Sequence, residues 1–154
     1  MYSIVARPIT SKTEWEDFIA EHGEANFLHS WYWGNFHERL EHAVERVGFY
    51  RGDKLVGVLL AVVEPARRGR HIVVPGGPIL DWSDHDLVIQ WVSELKRIAK
   101  KHRCIFARVR PQLLESPEHE QLFKKLGFKS SPMHVTADLT HQLWLGATDD
   151  ELKK

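Results

Sequence analysis

"AVERVGFYRGDKLVGVLLAVVE", Ala43 to Glu64, followed by "RHIVVP", Arg70 to Pro75, decides the architecture. β-Branched and apolar residues dominate both runs, and Gly52 and Asp53 interrupt the first as a pair suited to a tight hairpin turn. "PARRGR", Pro65 to Arg70, reads as a looser turn into the third run. The stretch therefore predicts three consecutive antiparallel strands.

Helical signals flank this meander. Upstream, a β-rich opening, "YSIVARPI", leads to Ser11 and Glu14, spaced as a capping box ahead of the apolar stripe Trp15, Phe18 and Ile19, and Gly23 is placed to end that helix. In "FLHSWYWGNFHERL", Phe27 to Leu40, Ser30 is a second N-cap. Trp33, Phe36 and Leu40 fall at i, i+3 and i+7, which predicts that they face the core and that Trp31 lies across the helix from them. Downstream, "GGPILDW" breaks the strand pattern. Leu87, Trp91, Leu95 and Ile98 then recur at helical spacing in what should be the longest helix, its start marked by Ser83 and Asp86. "CIFARVRP" is a strand, "SPEHEQLFKKLGF" a short helix closed by Gly127, "SPMHVTADLT" a last β-rich segment, and "TDDELKK" the opening turn of a further helix.

This order implies an α/β chain with an α+β mixed central sheet flanked by helices. It resembles the GNAT acyltransferase fold, and "LFKKLGFK", Leu122 to Lys129, resembles the short helix and turn near the end of such domains.

Bulk properties narrow the classes. A chain of 154 residues, 43% hydrophobic and 27% charged, suits one soluble globular domain. No apolar run approaches the ~20 residues that span a bilayer, and "MYSIVARPIT" has no secretory-signal pattern, so a cytoplasmic location is expected. The single cysteine, Cys104, sits in a strand pattern and reads as packing. With 21 basic and 21 acidic residues the surface has no general attraction for nucleic acid, and DNA is not an expected partner. Arg67 to Arg70 form a local basic turn, a solvated loop or, at Arg70, a phosphate contact. Lys100 to Arg103 complement a helix C-terminus.

Several chemistries lack their residues. A CoA-dependent enzyme needs free backbone N–H groups in a glycine loop ahead of the long helix. Here "VPGGPILDWSDH" offers two prolines without donors and the acids Asp81, Asp84 and Asp86. Gly76 and Gly77 in this segment serve either a chain crossing or a ligand contact. Ten histidines supply no pair with convincing ligand spacing and a third partner, so no metal site is expected. No Gly-x-Ser-x-Gly elbow occurs. "ARVRP" places Arg108 and Arg110 on one face of a strand expected to be central and buried, which suits either paired structural cations or two cations aimed into a cleft for phosphate or carboxylate.

Taken in order, "FLHSWYWGNF", "VPGGPILD", "ARVRPQ", "KKLGFKSSPMHVTADLT" and "TDDELKK" resemble the first half of the Fem family, the peptidoglycan bridge-forming aminoacyltransferases. The resemblance spans most of the chain. It implies two tandem GNAT-like domains, of which residues 1–154 would be the first and the second is missing from this sequence. It also implies aminoacyl-tRNA as donor, engaged mainly through that second domain, and a UDP-linked or lipid-linked muramyl peptide as acceptor, with peripheral contact at the inner face of the membrane as one possibility. No cofactor follows from it. The implied chemistry is attack of a neutral amine on the aminoacyl ester, which needs positioning, proton removal and oxyanion stabilisation. Asp138 and His134 are too weakly placed to assign as a base, so catalytic residues remain unassigned. Trp33 matches the family's Ser-x-x-Trp pattern. Trp31 and Tyr32 then either line the precursor cleft or, for Trp31, pack beneath the following hairpin. Two alternatives stand beside this reading: a CoA-dependent N-acetyltransferase and a noncatalytic GNAT-like binding module.

Overall fold

Alternation of apolar runs with turn residues produces an antiparallel meander in the computed structural model, which describes residues 3–23 and 25–132. Strand β1 (Ile4–Pro8) pairs with β2 (Ala43–Arg51), β2 with β3 (Lys54–Ala66), and β3 with β4 (Gly69–Val74), all antiparallel. Gly52, at φ 62°, supplies the left-handed residue of the β2–β3 hairpin. The β3–β4 turn is as tight, since Ala66 pairs with Gly69; the looser connection expected from "PARRGR" is corrected by strands that run further than their apolar core. A two-residue strand, β5 (Ile79–Leu80), pairs with β3, and β6 (Cys104–Val109) joins β4 in parallel. The sheet runs β1-β2-β3-β4-β6, with β5 off this path.

Strand periodicity divides the core in two. Leu59, Ala61 and Val63 of β3 point to one face, together with Ile72 and Val74 of β4. That face is covered by α3 (His85–Lys101), through Leu87, Val88, Trp91, Leu95 and Ile98, and by Phe123 and Leu126 at α4 (Pro117–Lys125). Val58, Leu60 and Val62 point to the other face and meet Trp15, Phe18 and Ile19 of α1 (Lys12–Ala20). Helix α2 (Trp31–Arg39) follows a 3-10 turn (Phe27–His29) on this same side, where Trp31 and Trp33 are half-buried.

The caps follow local chemistry. Ser11 Oγ accepts from Glu14 N–H and Ser30 Oγ from Trp33 N–H, as expected. Three expectations are corrected. In α3 the cap is Asp84, which accepts from Leu87 N–H, while Ser83 is held in a turn by Asp81. In α2, Phe36 and Leu40 are exposed, and the buried positions are Gly34 and His37. Gly34 lies against the Arg46 guanidinium, which an added Cβ would displace. Lastly, β6 is not the fully buried strand expected, since Ile105 and Phe106 are exposed. Gly127 closes α4 at φ 86°, as its sequence position indicates. "SPMHVTADLT" beyond Pro132, "TDDELKK", His134 and Asp138 lie outside the described residues.

Candidate functional site

The β3–β4 ladder is interrupted where the chain leaves β4. Its last pairs join Val62 to Val73, and pairing with β3 resumes only at Ile79, opposite Val58. Between them Pro75 to Pro78 detour out of the sheet, with the Gly77–Pro78 peptide cis. The detour leaves the Leu60 N–H without a strand partner. His29 fills the place. Its Nε2 accepts from Leu60 N–H at 2.9 Å and its Nδ1 lies 2.8 Å from the Pro75 carbonyl. Because Nε2 accepts, the proton sits on Nδ1, which donates to Pro75. Burial holds the His29 pKa down at about 4, against the opposing effect of the Pro75 and Val58 carbonyls. Trp15 stacks on the ring at 5.8 Å and donates its indole N–H to the His29 carbonyl at 3.0 Å.

The two glycines of the detour serve this docking. Asn26 donates to the Gly76 carbonyl at 2.8 Å. A Cβ on Gly76 would overlap Asn26 Oδ1, and one on Gly77 would overlap the His29 ring. Gly76 also has φ 59°, which disfavours any side chain.

Beyond the detour, β4 and β6 end side by side. Arg110 N–H reaches the Val74 carbonyl at 3.3 Å as the final rung. Such carboxyl ends of parallel strands are where open α/β sheets hold ligands. Arg108, one row earlier, is paired in register with Val73 and points to the α2 side. It borders a cavity of about 920 Å³ between β6 and α4, lined also by Phe106, Pro111, His119, Phe123 and Lys129. The structure thus gathers Gly76, Gly77, Arg108 and Arg110 at one end of the β4–β6 pair.

The other expected residues lie elsewhere. Arg70 is at the opposite end of β4, beside Cys104. Trp31 packs edge-on against Trp15 and lies under the Arg46 guanidinium at 4.2 Å, so protein groups cover both its edge and a face. Arg46 is fixed there by Asn35, Glu38 and the Trp31 carbonyl. Tyr32 is exposed and meets Lys12 of α1. Sequence reasoning missed His29 and Asn26, whose importance depends on a gap in a ladder that no local pattern announces.

At the start of α3, carboxylates occupy the positions an anion would take. Asp84 caps Leu87 N–H and forms an ion pair with Arg51 at 2.7 Å. Asp81 binds both the N–H and hydroxyl of Ser83, contacts that hold its own carboxyl below the usual range. The histidines also regroup: contrary to the sequence expectation, His37 and His42 find a third candidate ligand in Glu64.

A family model described as the FemAB family matches residues 10–139. The chain belongs to the FemAB family. Among solved structures, FemX aligns with a TM-score of 0.72 at 19% identity, covering 81% of this chain and 32% of FemX. The FemAB-family chain therefore spans about a third of that relative's length. A Trypanosoma brucei acetyltransferase aligns with a TM-score of 0.62 at 15% identity, covering 89% of this chain and 100% of its own. Glucosamine-6-phosphate N-acetyltransferase from Arabidopsis thaliana gives 0.61 at 14%, with 90% and 99% covered. These likenesses show the GNAT fold. No curated protein sequence matches significantly. No described helix is long and apolar enough to cross a membrane.

Proposed function

We propose that this FemAB-family domain binds the acceptor of an aminoacyl transfer, a UDP-linked or lipid-linked muramyl peptide of peptidoglycan synthesis, at the carboxyl ends of β4 and β6. Arg108 and Arg110 supply cations for its diphosphate or carboxylates, and the cavity beside Phe106 and Phe123 supplies apolar walls. The acyl group comes from aminoacyl-tRNA, an ester already activated, so the protein's part is to position the amine, accept its proton and stabilise the oxyanion. Donor binding and turnover require a second domain of the same fold; FemX, of which this chain covers 32%, has length to hold further parts. Activity at the cytoplasmic face of the membrane follows from a lipid-linked acceptor.

The observation that carries this reading over acetyl-CoA chemistry is the state of the loop ahead of α3. Pro75 and Pro78 have no N–H, Asn26 and His29 fill the space above Gly76 and Gly77, and Asp84 occupies the helix N-terminus. A pyrophosphate there would meet carboxylates in place of donors.

Thermal shift tests the reading. UDP-linked muramyl pentapeptide should raise the unfolding temperature and acetyl-CoA should not, since a ligand of the native state stabilises by RT ln(1 + [L]/Kd). Arg108→Gln should remove most of the precursor shift. Stabilisation by acetyl-CoA with none by precursor overturns the proposal in favour of an N-acetyltransferase, and silence with both leaves a noncatalytic module.

A further inference from the structure

At the far end of the sheet from Pro75, His37, His42 and Glu64 converge on one point, with a ligand atom of each within 4.8 Å of the others. They come from three elements. His37 is in the last turn of α2, His42 follows it in the connection to β2, and Glu64 is on β3. Glu41, at φ 61°, turns the chain so that His42 N–H bonds back to the His37 carbonyl at 3.1 Å. The left-handed conformation of a residue other than glycine is costly. Its effect here is to bring the His42 ring alongside His37, with the two Nδ1 atoms 3.0 Å apart.

Glu64 arrives by register. It pairs with His71 on β4 and shares the α2 face with Val62 and Leu60. Its Oε1 is 4.0 Å from His37 Nδ1 and its Oε2 is 3.7 Å from His71 Nε2. Among the described residues the carboxylate makes no hydrogen bond, and His71 Nδ1 is buried without a partner. Phe106 stacks on the His71 ring at 4.8 Å and fixes its plane.

We infer that His37 Nδ1, His42 Nδ1 and Glu64 Oε1 form a binding site for a divalent transition metal of the Zn²⁺ class. Tetrahedral zinc with bonds near 2.0–2.1 Å separates its ligand atoms by roughly 3.3–3.4 Å, so rotamer adjustments that close the widest spacing, at most 4.8 Å, by about 1.4 Å convert the cluster to a coordinating one. The His37 and His42 pair also has the His-x₄-His spacing found in zinc sites. Two neutral imidazoles and one carboxylate suit zinc better than calcium or magnesium. The carbonyl end of α2 adds a favourable field for a cation. Glu64 Oε2 stays turned to His71, an outer-shell contact that orients the ligand carboxylate. Solvent takes the remaining position. The bound ion ties the end of α2 to β3 at the His71 row, about 13 Å along β4 from Pro75 at ~3.3 Å per residue, and His71 with Phe106 lies between it and the cavity of the proposed precursor face.

Equilibrium dialysis of the 154-residue chain against Zn²⁺, with metal counted by mass spectrometry, tests the inference. One equivalent per chain and a rise in unfolding temperature are expected. Co²⁺ should give the intense visible absorption of a tetrahedral site. His42→Ala and Glu64→Gln, both at partly exposed positions, should each weaken binding by at least about tenfold, while His85→Ala, at the exposed start of α3, should bind as the parent does. Absence of stoichiometric binding by the parent chain overturns the inference. So does binding that His42→Ala and Glu64→Gln leave unchanged, which would place the ion elsewhere.

Discussion

Helices α2 and α3 cover opposite faces of one sheet by different means. Helix α3 presents a continuous apolar stripe, Leu87, Val88, Trp91, Val92, Leu95 and Ile98, and its role is readable from period alone. Helix α2 buries Gly34 and His37 and rests on polar and ring contacts: Arg46 against Trp31 and Gly34, Trp33 between Phe27, Phe36 and His37. Burial of bulk tolerates local detail, whereas a face built from a glycine, an arginine and histidines depends on partners arriving from distant strands. The second kind of helix can therefore host chemistry that the first cannot.

Truncating aromatics tests this contrast most severely. Trp91 is fully buried and stacked on Phe128 at 5.5 Å. Trp91→Ala should cost about 3–5 kcal/mol in chemical denaturation. Trp31→Ala and Trp33→Ala should cost less than that and resemble each other, because both are half-buried. A Trp33 loss matching that of Trp91 would show that α2 is held by bulk after all.

The next effect is set by pH. His29 is neutral in the folded chain with a pKa of about 4 against 6.5 in the unfolded one. Its contribution is complete above the unfolded value and is lost as pH falls through the window between the two, because the unfolded state takes up the proton first. Between about pH 7 and about pH 5 the loss should be about 2 kcal/mol. His37, whose pKa burial also lowers despite the neighbouring Glu64, adds to it with the same sign. Urea titrations of the parent and His29→Gln at the two pH values should show a weaker dependence in the variant; equal dependence would remove His29 from the account.

The smallest effect concerns the outer side of α2. Phe36 and Leu40 are 46% and 50% exposed, so Phe36→Ser and Leu40→Ser should each change stability by about 0.5 kcal/mol or less. A loss several times larger would restore the stripe that the spacing suggests.

What the sequence makes legible is what depends on neighbours a few residues away. The Ser11 and Ser30 caps, the Gly52–Asp53 turn, the three long strands and α3 all follow from local pattern. Strand β5 escaped because two residues are too few for alternation to show. The α2 face differs from its spacing because helical period ranks residues by apolarity and does not register Arg46 filling the groove at Gly34. Period alone places Arg108 and Arg110 on a shared strand face, but the parallel pairing of β6 with β4 beside the Pro75 detour needs the sheet order. The grouping of His37 with Glu64 needed the β3 register as well as the turn at Glu41.

The imidazole rung between β3 and the detour has a kinetic consequence. In an ordinary sheet, the amide hydrogen of a central strand exchanges with solvent only when neighbouring strands separate. Leu60 N–H is guarded instead by a side chain from residue 29, carried on a short 3-10 turn outside the sheet. Lifting of that turn would expose this one amide while Leu59 and Val62 remain sealed. Deuterium uptake at Leu60 should therefore report the attachment of the 27–29 segment, a readout of motion beside the Pro75 loop that the rest of β3 does not give.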